Sequence, residues 1–195
     1  MRTGRRTVLC VSVAVWAAAE MPSLAGQSRD PTLPVVSGHG YRGVIFPRPP
    51  FKVEAFGGDA SWTPTSEDIA TLESLLKTVL ENAVADPEQI TGPHRAASDL
   101  TREELRRWRK THSEEIGKIL RKLGTYRRQY AGVSRKGTRT IVVNLFPEEP
   151  VSGDDWHREW RSEWVEVQGG GAAYWGIHFD VRKKVFHDFY ANSPR

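Results

Sequence analysis

Two histidines near the end of the sequence, His178 and His187, are separated by the loop Asp180-Val181-Arg182-Lys183-Lys184. On a hairpin with a four-residue loop they are cross-strand neighbours on one face, whereas a one-residue change of register puts them on opposite faces. Asp154, Asp155 and His157 lie in the preceding loop, and zinc accepts imidazole and carboxylate ligands of this kind. Such a set would serve a metal-dependent hydrolase of the cell envelope using His178, His187 and an acid from 154–155. No His-Glu-x-x-His or other tightly spaced pair accompanies them, so ordinary sheet-surface histidines are the plainer reading and no metal ligand is assigned. His112 and Glu115 share a helix face, which a single pair often does by accident.

The remaining chemistry-bearing residues favour binding over catalysis. Gly169-Gly170-Gly171 runs into Ala172 to Phe179, whose pattern is that of a strand. A phosphate-cradling loop needs its amides at the start of a helix, so the triglycine reads as a turn or bulge, with the floor of a ligand groove as a lesser option. Gly132-Val133-Ser134-Arg135-Lys136-Gly137 misses the spacing of a nucleophile elbow and joins two strands. The carboxylate pairs Glu114/Glu115 and Glu148/Glu149 are adjacent in sequence and do not converge on one substrate. No catalytic residue and no cofactor are therefore assigned. Trp156, Trp160 and Trp164 recur at four-residue spacing in DDWHREWRSEW, interleaved with Arg158 and Arg161. On a short helix they stack along one side, and aromatic and arginine side chains are those that binding hot spots use. Core packing of the tryptophan stripe is the plainer reading; where exposed, these residues with Gly169, Gly170 and Trp175 form the candidate surface for a protein or glycan partner.

The ends of the chain suggest where it works. Arg2, Arg5 and Arg6, the apolar run Val8 to Ala19 and then Ser23-Leu24-Ala25 read as a secretory signal peptide cleaved after Ala25. The run is too short to span a bilayer. Residues 1–25 hold the only cysteine, Cys10, so the exported chain is expected to form no disulfide; a lipid anchor is disfavoured and a soluble protein, in the periplasm or outside the cell, is expected. The 28 basic and 24 acidic residues give +4; without three arginines and Glu20 of the signal, 25 against 23 leave +2, which disfavours nucleic acid as a partner. About 170 residues suffice for one domain and one sizeable core, and a monomer is expected.

Along the chain, residues 26–60 are rich in Pro and Gly and read as a linker or strap, with FKVEAF (51–56) as an edge strand. A single domain is expected over 61–195. A helix starts after Thr63 or Thr65, with Ile69, Leu72, Leu76, Val79 and Leu80 on one face, and burying these five contributes on the order of 10 kcal/mol before entropy is subtracted. A second, over 101–123, opens with the capping box Thr101/Glu104, is stapled by Leu100 and Leu105, and is expected to stop at a left-handed Gly124. Its ten basic residues from Arg102 to Arg128 against four glutamates give about +6, enough for an anionic polymer unless nearby acids of 148–166 pair with them. Beyond Gly124 the period changes to two, with strands at 126–133, 138–146, 164–168, 172–179 and 185–191. The class expected is α+β, two helices packed on a four- to five-stranded antiparallel sheet.

The series RRQYAGVSRKGTRTIVVNLF followed by VQGGGAAYWGIHFDVRKKVFHDFYANS resembles a family of uncharacterised exported bacterial proteins. The resemblance covers Trp62 to Ser193 and is most specific at Arg128-Gln129-Tyr130, Gly169-Gly170 and Asp188-Phe189 with Asn192. Many of those relatives look like lipoproteins, and this chain departs from them in having no lipidation cysteine. The family carries no assigned activity, so no catalytic residue is implied. The helix-then-meander order is also similar to cystatin-like and PepSY-like domains, which implies binding or inhibition.

Overall fold

A computed structural model describes residues 33–91, 101–149 and 158–193. Residues 1–25, expected to be a signal peptide, and Leu100, Asp154, Asp155, Trp156 and His157 lie outside them.

Both long helices begin where side chains satisfy the free amides of the first turn. Thr65 caps α1 (Ser66–Ala85): its amide donates to Asp68 Oδ2 at 2.9 Å while the Asp68 amide donates to Thr65 Oγ1 at 3.1 Å. α1 buries Ile69, Leu72, Leu76, Leu80 and Ala83, the expected face, with Val79 half-buried at its edge. A one-turn α2 (Glu88–Thr91) follows. Thr101 and Glu104 form the same reciprocal cap on α3 (Arg102–Arg121), which buries Ile116 and Ile119. α3 does not stop at a left-handed Gly124. Its backbone tightens at Lys122 into a 3-10 turn, Leu123–Thr125, and Gly124 is not among the residues with positive φ.

The fold is α+β; the described residues form three helices and a sheet of seven strands, two or three more than the sequence pattern suggested. The strands are β1 (Val35–Gly38), β2 (Tyr41–Phe46), β3 (Ala60–Trp62), β4 (Tyr126–Arg135), β5 (Thr138–Pro147), β6 (Trp175–Asp180) and β7 (Val185–Ala191). Their order is β1-β2-β4-β5-β6-β7, with β3 beside β4 where β2 has ended. All pairs are antiparallel except β2 with β4. β1 and β2 lie inside the stretch expected to be a linker or strap. They pair across His39-Gly40, where Gly40 takes φ 79° without steric cost.

Two expected strands are absent. FKVEAF is not an edge strand: Val53–Phe56 is a 3-10 turn closed by a left-handed Gly57, and the Phe51 and Phe56 rings meet at a tilt, 4.3 Å apart. Residues 164–168 make no ladder, because side chains of the neighbouring strands take their backbone groups instead.

Strand alternation divides the sheet into two buried faces. Inward, Tyr126, Tyr130, Ile141, Val143, Leu145, Trp175, Ile177 and Phe179 pack on α1 and α3. Outward, Val44, Phe46, Ala131 and Phe146 are covered by Trp160 and Tyr174 and flanked by Phe51, Trp164, Val165 and Val167. A charged group sits within the inner layer. Arg128, 1% exposed, donates from Nε to Glu73 Oε1 at 3.0 Å, and the Tyr130 hydroxyl donates to the same oxygen at 2.7 Å, tying α1 to β4. No described helix is long and apolar enough to cross a membrane.

Candidate functional site on the outer face of the sheet

The β6–β7 register makes His178 and His187 direct partners, so both imidazoles stand on the outer face, their rings edge-on at 5.5 Å. Alternation alone would send the next residue, Asp188, to the helix side. The register shifts between Gly176 and His178, and Asp188 takes φ 51°, a left-handed conformation that a non-glycine residue seldom adopts. The bulge brings its carboxylate to the histidines: Oδ2 lies 2.9 Å from His187 Nδ1 and 3.3 Å from His178 Nδ1. His178 is buried, with the Phe56 ring at 5.7 Å, while His187 and Asp188 are half-exposed. The His178 hydrogen bond, aided by His187 and opposed by burial, holds the Asp188 carboxyl well below the ordinary carboxylate range. An ionised carboxylate only accepts, so in the free protein each imidazole presents Nδ1–H to it.

Toward β2 the same face changes character. Arg42 and Arg127 are direct partners in the parallel β2–β4 pair, so two like charges stand side by side. The Arg127 guanidinium lies 5.5 Å from the Trp160 ring and that of Arg161 5.1 Å from it. Burial first, then the charges of Arg42 and Arg161, hold Arg127 below the ordinary arginine value, and Glu148 pairs with it. Arg42 and Arg161 are exposed.

Between the two ends, polar side chains hold residues 158–173 against the sheet. Gln129 Nε2 donates to the carbonyls of Trp160 at 2.7 Å and Glu163 at 2.6 Å, and its Oε1 accepts from the Val165 amide at 2.8 Å. Asn144 Nδ2 donates to the Val165 carbonyl at 2.8 Å, and Asn192 Nδ2 to the carbonyls of Gly169, at 3.0 Å, and Val167. Gly169, Gly170 and Gly171 take φ of 85°, 85° and 57°, and only a 3-10 turn, Gly171–Ala173, follows. The triglycine bends the chain, and the Gly171 amide is taken by the Ser193 carbonyl at 3.3 Å. A cleft of about 780 Å³ runs between Gly170–Ala173 and the end of α3, lined by Glu114 and Glu115 as well as Lys118 and Arg121, and neither Trp164 nor Trp175 lines it.

The residues singled out from sequence thus separate. Trp160 is buried beneath its arginines, and Trp164 is half-buried, edge-on to Phe46 at 5.5 Å and Phe51 at 5.0 Å. Arg158 and Arg161 are exposed on the turn that follows the undescribed residues 150–157. Trp175 belongs to the opposite face and is fully buried, so it shares no surface with the others. Of the basic residues of α3, Arg107 pairs with Glu103, Lys110 with Glu114 at 3.9 Å and Arg109 with Glu88 of α2 at 2.8 Å. His112 stacks on Trp108 at 4.2 Å. Asp188 was missed because one residue of bulge cancels the alternation rule, and Arg42 because its strand carries a linker's composition. Comparison of the chain with family models, with curated proteins and with solved structures returns no match.

Proposed function

We propose that the chain is an exported, monomeric binding module whose outer sheet face takes an anionic polymer or anionic glycan of the cell envelope. One observation carries this reading: Arg42 and Arg127 stand side by side on neighbouring strands, with Arg161 joining them over Trp160. Like charges directly opposite in a sheet destabilise it, and Glu148 is paired with Arg127 alone among the three in the described contacts. A polyanion lying across them relieves that repulsion.

Binding is measured by tryptophan fluorescence against an acidic and a neutral polysaccharide over a range of salt. Affinity for the acidic polymer is expected to fall at least tenfold between 50 and 200 mM salt, as for other polyanion contacts made by several cations. The double substitution Arg42→Ala/Arg161→Ala is expected to remove most of that affinity, and Lys118→Ala/Arg121→Ala on α3 to leave it unchanged. A flat salt response, or equal binding of the neutral polymer, sinks the reading. Loss confined to the α3 variant moves the site to the basic helix.

A further inference from the structure

The other end of the outer face carries chemistry that anion recognition does not use. His178, His187 and Asp188 bring two imidazoles and a carboxylate together with all three candidate donor atoms within 4.8 Å of one another. We propose that these three residues form a binding site for a divalent transition-metal ion of the zinc class, with Nδ1 of His178, Nδ1 of His187 and a carboxylate oxygen of Asp188 as ligands.

Three observations support the assignment. The first is spacing. Bonds of about 2.0–2.1 Å to nitrogen and oxygen place neighbouring ligands of a tetrahedral ion roughly 3.3 Å apart. The Asp188 oxygen lies 3.3 Å from one Nδ1 and 2.9 Å from the other, both within about 0.4 Å of that separation, and all three donor atoms lie within 4.8 Å of one another. The second is the backbone at Asp188. A left-handed aspartate at a bulge is conformationally unfavourable, and its effect here is to turn a carboxylate out of the helix layer and onto the histidines. The third is preorganisation. His178 is held in the sheet, buried beside Phe56, and its register with His187 is fixed by the pairs on either side. Two imidazoles with one carboxylate select zinc and its neighbours in the first transition row over calcium and magnesium, which take oxygen ligands. When the ion binds, each neutral imidazole gives up its Nδ1 proton and carries one on Nε2 instead. Three protein ligands leave a fourth tetrahedral position to water or to a donor group of a partner.

The inference stands apart from the polyanion reading, because it uses none of the arginines. Purified full-length protein stripped with chelator is titrated with zinc chloride by calorimetry, and separately with calcium chloride. One zinc per chain is expected, with a rise in melting temperature, and no calcium uptake. His178→Ala and His187→Ala are each expected to weaken zinc binding by about 100-fold. Asp188→Gly separates binding from folding: glycine adopts the left-handed conformation freely, so the variant is expected to melt no lower than the parent while its zinc affinity falls at least tenfold. Failure to take up one zinc per chain overturns the proposal. So does zinc uptake that His187→Ala and Asp188→Gly both leave unchanged, which would place the ion elsewhere, and so does displacement of the zinc by calcium.

Discussion

A guanidinium and a carboxylate are buried together between α1 and β4. Glu73 and Arg128 have 5% and 1% of their side chains exposed, and every nitrogen of the guanidinium has a partner: Nε donates to Glu73, Nη1 to the Tyr126 carbonyl at 2.6 Å and Nη2 to the Leu123 carbonyl at 3.1 Å. Burial pushes the Glu73 carboxyl up, against the pull of Arg128 and of the Tyr130 hydroxyl. A satisfied buried pair adds little over an apolar one of the same shape, yet removing one partner strands the other charge. Arg128→Met is therefore expected to lower the unfolding free energy by about 3–5 kcal/mol in urea denaturation, and Glu73→Leu/Arg128→Met to recover most of it. A single variant as stable as the parent would show that the pair is not what ties α1 to β4. Arg128, Gln129 and Tyr130 are consecutive, and their alternation explains their separate duties: the outer two serve Glu73 within the helix layer, and the middle one serves the opposite face.

At the scale of elements, the segment 158–173 is held by side chains where a strand would use a ladder. Gln129 satisfies two carbonyls and one amide of that segment, and Asn144 supports both the Gln129 Oε1 and the Val165 carbonyl. Gln129→Leu keeps the volume and removes these partners together. Each buried group left unpaired costs about 1–3 kcal/mol, so a loss of at least about 2 kcal/mol is expected, with faster protease cleavage between residues 158 and 168 and a red shift of tryptophan emission as Trp160 and Trp164 meet water. Unchanged emission and protection would mean that apolar contact of Trp160 with Phe146 suffices to seat the segment. The tryptophan spacing in DDWHREWRSEW was legible in the sequence. So was packing into a core as its plainer fate; the partners were not, because Arg127 over Trp160 and Phe51 against Trp164 come from distant parts of the chain.

For the molecule as a whole, the departure from an antiparallel meander is the parallel pair β2–β4, joined through β3, α1 and α3. β2 contributes Val44 and Phe46 to the outer layer and Ile45 to the inner one, so residues before Pro47 belong to both cores. A chain shortened to begin after Ala25 is expected to unfold in one cooperative transition with the midpoint of the parent. One shortened to begin at Pro47 is expected to lose that transition or to bind a hydrophobic dye before unfolding, because it uncovers β4 and leaves Arg127 without its neighbouring strand. Equal midpoints for the two would return residues 35–46 to the role of a linker.

The sequence by itself determined what depends on near neighbours: the two capped helices, the α1 face, the period change past Gly124, the turn at Lys136-Gly137 with φ of 48° and 80°, and the bend of the triglycine. These follow from interactions within a few residues, where side-chain type and spacing settle the outcome. Only the tertiary structure decided that a Pro- and Gly-rich stretch completes the sheet, that 164–168 is held by Gln129 and Asn144, and that Asp188 turns onto His178 and His187. Each of those depends on a partner from 10 to more than 80 residues away, or on a bulge that shifts register by one. Local pattern carries no record of such choices, because the energy that makes them comes from surfaces that meet only after folding.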